Sequence, residues 1–165
     1  MSINDKVIPF SFYYTFNKEG KNTIKYSFSE NLTNTGCLFY KCNSLKTIDL
    51  SNFNTQNVTN MSNMFCECHS LETIDLSNFN TQRVTNMSGM FLGCKSLSNI
   101  DLHNLITRNV IDMSCMFTEC ESLTNIDLSN FNTNNVKDMG CIFYGCVKLT
   151  KNNIITNNKK ILEKK

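Results

Sequence analysis

The residues able to do chemistry in this chain are nine cysteines, two histidines and a recurring aspartate, and their spacing limits what that chemistry could be. Cys42, Cys68, Cys94, Cys120 and Cys146 recur at one interval, each three residues before a leucine, Leu45 through Leu149. Free cysteine is among the most buried residue types, so such a column reads as reduced thiols inside a stacked core. Cys37, Cys115 and Cys141 share a second repeat position, while Cys66 stands alone. Cys115 and Cys141 would lie on adjacent rungs, about one strand spacing apart, where a disulfide is geometrically conceivable. Cys66-Glu67-Cys68-His69 has the residue types of a zinc site, yet no second close pair completes four ligands. His69 and His103 sit at different repeat positions, and no phosphate loop, nucleophile elbow or His-Glu metal motif occurs. The expectation is a chain that is not an enzyme and uses no cofactor or metal.

Asp49, Asp75, Asp101 and Asp127 form the other candidate set. Stacked rungs would place them in one column, about 5 Å from neighbour to neighbour. Like charges that close repel by roughly 1 kcal/mol or less when water screens them. Two readings stand. The carboxylates accept hydrogen bonds from nearby Ser and Thr, such as Ser51 and Thr47, and define a sheet face; or the column attracts cations or a basic partner.

A 26-residue repeat must position these residues. Ile48-Asp49-Leu50 returns as Ile74-Asp75-Leu76, Ile100-Asp101-Leu102 and Ile126-Asp127-Leu128. Met61 through Met139 and Phe39 through Phe143 keep the same step. A fixed period of roughly 20 to 50 residues marks a stacked array whose single repeat cannot bury its apolar face alone. Within one unit, Ile48 inward, Asp49 outward and Leu50 inward read as a short strand. Asn52-Phe53-Asn54-Thr55 turns the chain, with Thr55 as a helix N-cap. Val58, Met61, Phe65 and Cys68, spaced three, four and three, then predict one face of a short helix, which Met64 widens.

The phrase Asn-Met-Ser-x-Met-Phe-x-x-Cys-x-Ser-Leu-x-x-Ile-Asp-Leu-Ser-Asn-Phe-Asn-Thr, carried by residues 32 to 149, resembles the BspA-type leucine-rich repeat, and Leu45-x-x-Ile48-x-Leu50 is its strand signature. The resemblance implies a solenoid and suggests cell-surface adhesion or partner binding. The expected fold class is an α/β repeat solenoid, a leucine-rich-repeat-like stack of short parallel strands and short helices. An N-terminal β-hairpin across residues 7 to 28 would close its first rung. The expected domains are a hairpin cap at 1–31, the repeats at 32–149, and a basic C-terminal cap or tail at 150–165. In that tail Leu149 and Ile154 continue the strand register, and Ile161 and Leu162 sit in a Lys-rich segment suited to a short helix.

Length and charge fit one soluble domain: 165 residues with a net charge of +2, which offers no argument for nucleic acid or an anionic membrane. No signal or anchor is recognisable and no stretch is apolar enough to insert in a membrane, so the chain as written reads as cytoplasmic, whereas the resemblance points to the cell surface.

The third repeat departs from the others. His103 replaces Ser51, Ser77 and Ser129; Ile106 replaces Asn54, Asn80 and Asn132; Ile111 replaces Thr59 and Thr85; Leu105 replaces Phe. Drift is one reading. The other is a contact patch for an unidentified protein, because exposed apolar clusters mark interaction sites. The expected function is a non-catalytic protein-binding module of adhesive or scaffold type. The alternative is a structural protein that self-associates, weakly, through sheet edges or terminal rungs.

Overall fold

Asn63 has φ 54° and Glu67 φ 62°, in the middle of the segment whose spacing predicts a helix. In this computed structural model the same two repeat positions are left-handed in every repeat: Cys37 and Lys41, Gly89 and Gly93, Cys115 and Glu119, Cys141 and Gly145. A right-handed helix cannot pass through such residues, and the expected repeat helices do not form. The segment is a spiral of tight turns instead, and its hydrogen bonds explain why.

The N–H groups of Met61, Asn63, Phe65 and Glu67 donate to the carbonyls of Asn86, Ser88, Met90 and Leu92 one rung along, at 2.9, 2.8, 2.9 and 2.6 Å. Those of Met64, Cys66 and Cys68 turn back to Met61, Asn63 and Phe65. The Ser62 N–H goes to the side chain of Asn60 at 2.9 Å. Every N–H from 61 to 68 therefore has a partner, and none needs the i−4 carbonyl of a helix. Single parallel bridges link Asn34, Asn60, Asn86, Asp112 and Asp138 in series, so the coils stack with their chains parallel.

The inward residues are the expected ones although the element is different. Val58, Met61, Met64, Phe65 and Cys68 are fully buried, as are their counterparts Val84 to Cys94 and Val110 to Cys120. Phe39, Phe65, Phe91, Phe117 and Phe143 stack ring on ring, with centroids 5.3, 5.6, 5.8 and 6.1 Å apart. Each buried side chain of this size supplies about 1.5–3 kcal/mol of transfer free energy. Only neighbouring rungs complete that burial, so stacking and folding are one event.

The strands are also fewer than expected. Of the four Ile-Asp-Leu segments only β4, Ile126–Asp127, is a strand, paired in parallel with β5, Ile154–Ile155. The same aspartate turn follows all four segments, and what sets β4 apart is its partner: the Leu128 N–H donates to the Ile155 carbonyl at 2.7 Å, a bond that Leu50, Leu76 and Leu102 do not make. Thr55 does not cap a helix. Its buried hydroxyl donates to the Asn80 carbonyl at 3.1 Å and accepts the Asn80 N–H at 2.8 Å. Thr81 and Thr107 clamp Ile106 and Asn132 in the same way.

The structure describes residues 31–165 and three short strands before them. The chain divides into two units, Met1–Asn31 and Leu32–Lys165. In the first, β1 (Ser2–Ile3) lies between β2 (Lys6–Val7) and β3 (Ile24–Lys25), antiparallel to both. The hairpin expected across 7–28 otherwise lies outside the described residues. At the other end, a 3-10 turn at Lys151–Asn153 leads into β5, and α1 (Lys159–Leu162) follows, N-capped by Asn158 and burying Ile161. The Asn158 side chain also bonds Thr133, the last member of the threonine series.

Candidate functional site

Asp49, Asp75 and Asp101 are exposed and Asp127 is half-buried. Each Oδ1 accepts the backbone N–H two residues on, from Ser51, Ser77, His103 and Ser129, at 2.8 to 3.0 Å. Those bonds hold the first three carboxyls below their ordinary range, the backbone N–H contributing most. For Asp127 the Ser129 side chain contributes most and the backbone second. The aspartates thus organise turns, and for Asp49, Asp75 and Asp101 the main partner is backbone rather than a side chain.

His103 adds a link the other repeats lack. Its Nδ1 lies 2.8 Å from Asp101 Oδ1 and its Nε2 3.6 Å from Asp127 Oδ2 on the next rung. The hydrogen bond and charge of Asp101, with help from Asp127, raise the imidazole above its usual value. All three groups are solvent-accessible, so charge interactions among them are screened.

Ile106 and Ile111 lie three and eight residues further on in the same rung, 37% and 43% exposed. Their counterparts make hydrogen bonds. Asn54, Asn80 and Asn132 accept the N–H groups of Gln56, Gln82 and Asn134. Thr59 and Thr85 donate their hydroxyls to Thr33 and Thr59. An isoleucine can do neither, so the third rung exchanges one hydrogen bond within the rung and one to the preceding rung for apolar surface. Leu105, in contrast, is buried and fills the place of its phenylalanine counterparts. The structure therefore joins His103 to Asp101 and Asp127, sets Ile106 and Ile111 on the same rung, and leaves Asp49 and Asp75 on earlier ones.

The thiols fall into two populations. Cys68, Cys94, Cys120 and Cys146 are buried and each donates to a phenylalanine carbonyl of the preceding rung, at 2.9 to 3.2 Å. Burial pushes Cys94 up to about 12, and burial pushes Cys66, also buried, to about 11. Cys42 is half-buried, and a hydrogen bond with Cys68 lowers it to about 7. Cys37 and Cys141 are exposed, Cys115 is half-buried, and all three are free thiols. His69 meets Glu67 at 2.9 Å, apart from the other candidates. Among the described residues no group of three or more His, Cys, Asp or Glu is placed to hold a metal, and no helix is long and apolar enough to cross a membrane.

The asparagine acceptors and the threonine clamps were missed by pattern reading. The signal for the first was an Asn or Asp held at one repeat position, two residues before an N–H that needs an acceptor; the threonine, whose partner lies 25 residues on, showed only its recurrence.

Comparison with known proteins finds a family model, described as "Mycoplasma protein of unknown function, DUF285", that matches residues 10–106 and 33–158. A solved structure, "Crystal structure of T. pallidum Leucine Rich Repeat protein (TpLRR)", is similar over 70% of this chain and 48% of that one, at 22% identity and a TM-score of 0.44. The chain thus spans about half the length of that protein. No curated protein matches.

Proposed function

We propose that this chain, which belongs to the DUF285 family, is a non-catalytic protein-binding repeat module whose contact surface centres on the third repeat. It works as a leucine-rich-repeat-like solenoid of the BspA type, in an adhesive or scaffold role. The observation that carries this reading is the exchange at Ile106 and Ile111, where two exposed isoleucines replace residues that hydrogen-bond the rung in other repeats. Giving up two bonds of about 0.5–1.5 kcal/mol each for exposed apolar area gains nothing for a free monomer. It gains contact area when a partner covers the patch. The His103 imidazole and the flanking Asp101 and Asp127 would form a polar rim around such an apolar centre. The partner is another protein, and a net charge of +2 favours neither nucleic acid nor an anionic bilayer.

The test compares the parent with Ile106→Asn/Ile111→Thr as immobilised bait against a membrane and surface extract of the source cells, quantified by mass spectrometry. A specific partner should be depleted about tenfold or more on the variant, since apolar anchors often cost above 1 kcal/mol each on truncation. Identical captures by both baits would return the third repeat to drift.

A further inference from the structure

Cys37, Asn63, Gly89, Cys115 and Cys141 hold one left-handed position on five successive rungs. The Cys115 N–H donates at 2.8 Å to the Gly140 carbonyl, which belongs to the peptide bond leading into Cys141. That bond sets Cys115 opposite Cys141 in parallel register, with Cα atoms about 5 Å apart. A disulfide spans Cα separations of about 4.4–6.8 Å. Both residues have φ 56°. Neighbouring rungs show where side chains at such positions lie. A Cβ at Gly89 would sit 3.3 Å from Asn63 Cγ, and at the next left-handed position a Cβ at Gly145 would sit 3.0 Å from Glu119 Cγ. The γ atom of one rung therefore lies against the β position of the next, close to the separation of about 3 Å that an S–S bond sets between them. Cys141 is exposed and Cys115 half-buried, so both can be reached from solvent. The thiols of Cys68, Cys94, Cys120 and Cys146 are buried instead and donate to carbonyls.

We infer that Cys115 and Cys141 are the two halves of a disulfide staple, which a small-molecule disulfide closes and which fastens the fourth rung to the third. Cys141, the more exposed thiol, gives its proton to solvent and attacks one sulfur of a disulfide such as oxidised glutathione. That S–S bond breaks, a mixed disulfide forms on Cys141, and one glutathione leaves as a thiolate that takes up a proton. Cys115 then gives up its own proton and attacks the Cys141 sulfur, releasing the second glutathione in the same way. The protein loses two electrons and two protons, and the glutathione disulfide gains both. Cys37 supplies the contrast within the same column. Its N–H donates to the Ser62 carbonyl, so it faces Asn63 and no thiol, and its reaction stops at the mixed disulfide. The staple uses neither Ile106 nor Ile111 and needs no partner protein, so its test is independent of the third-repeat contact surface.

The experiment treats the reduced full chain with oxidised glutathione at neutral pH, quenches with acid, alkylates the remaining thiols and maps peptides by mass spectrometry. The expected product is monomeric protein in which the Cys115 and Cys141 peptides are joined, lighter by two hydrogens and restored by dithiothreitol, while Cys37 carries glutathione. Cys115→Ser should leave Cys141 carrying glutathione, as Cys37 does. Asn63→Cys sets a thiol opposite Cys37 and should turn that mixed disulfide into a second link, which checks the geometry of the column apart from the native pair. The linked parent should unfold in urea at a midpoint about 1 M above the reduced protein, as closing a loop of this length implies at the usual unfolding slope. Cys115→Ser should show no such rise. Glutathione on both Cys115 and Cys141 with no link between them would overturn the inference. So would both remaining open to alkylation after Cys37 has reacted, or a link from either one to another cysteine or a second chain. An unchanged midpoint in the linked protein would overturn the fastening of the two rungs.

Discussion

Replacing Cys115 by glycine should stabilise the protein, and the sign of that effect separates a turn spiral from a helix. Cys115 has φ 56°, is half-buried, and makes no side-chain hydrogen bond. A side chain held in the left-handed region costs about 1–2 kcal/mol. Glycine removes that strain and returns about 0.5–1 kcal/mol through the greater freedom of its unfolded chain. The net expectation is a gain of about 0.5–1 kcal/mol. The preceding rung already has glycine at this position, Gly89 with φ 59°, so the backbone accommodates it. Had the segment been the helix its apolar spacing suggests, the same change would cost up to about 1 kcal/mol. The assay is urea unfolding under dithiothreitol, which keeps Cys115 and Cys141 apart as thiols. With a slope of about 2 kcal/mol/M the midpoint should rise by about 0.25–0.5 M. A fall of that size would refute the turn spiral. The converse substitution, Gly89→Ala, places a Cβ against the Asn63 side chain at positive φ and should lower the midpoint by at least as much.

Thr81→Val removes a hydroxyl that both donates to the Ile106 carbonyl and receives its N–H, and should cost about 1–3 kcal/mol in the same unfolding assay, whereas Thr81→Ser should cost less. Native alkylation read by mass spectrometry should modify Cys37 and Cys141 first and Cys115 and Cys42 later. Cys68, Cys94, Cys120 and Cys146 should react only after denaturation; early labelling of Cys94 would contradict its burial. By NMR the His103 imidazole should titrate above 6.5 and return toward it in Asp101→Asn. Because its folded value is raised, the His103 contribution to stability is fully present below pH 6.5 and fades as pH rises through the folded value. The four aspartates, held low, contribute above 3.8 and lose that contribution as pH falls through their folded values. A His103 titration unmoved by Asp101→Asn would mean the pair is not formed in solution.

The sequence alone determined the period, the register and the identity of the core. Val58, Met61, Phe65 and Cys68 point inward because their spacing demands one apolar face, whichever backbone carries it. Apolar spacing of three and four cannot distinguish a helix from a spiral of turns with a similar residue advance. The discriminating signal was polar: Gly89, Gly93 and Gly145, with Asn63, stand four apart in the repeat, where only a left-handed backbone gives them a reason. What the tertiary structure decided is where each N–H goes. Met61, Asn63, Phe65 and Glu67 donate to a neighbouring rung rather than along their own segment, and a partner 25 residues away is invisible to local propensity. The same holds for Thr55, whose type suits a helix cap and whose hydroxyl instead clamps Asn80. His103 could be noticed in the sequence as a departure from the repeat. Only stacking brought Asp127 of the next rung to its other nitrogen, because backbone bonds between rungs set that distance.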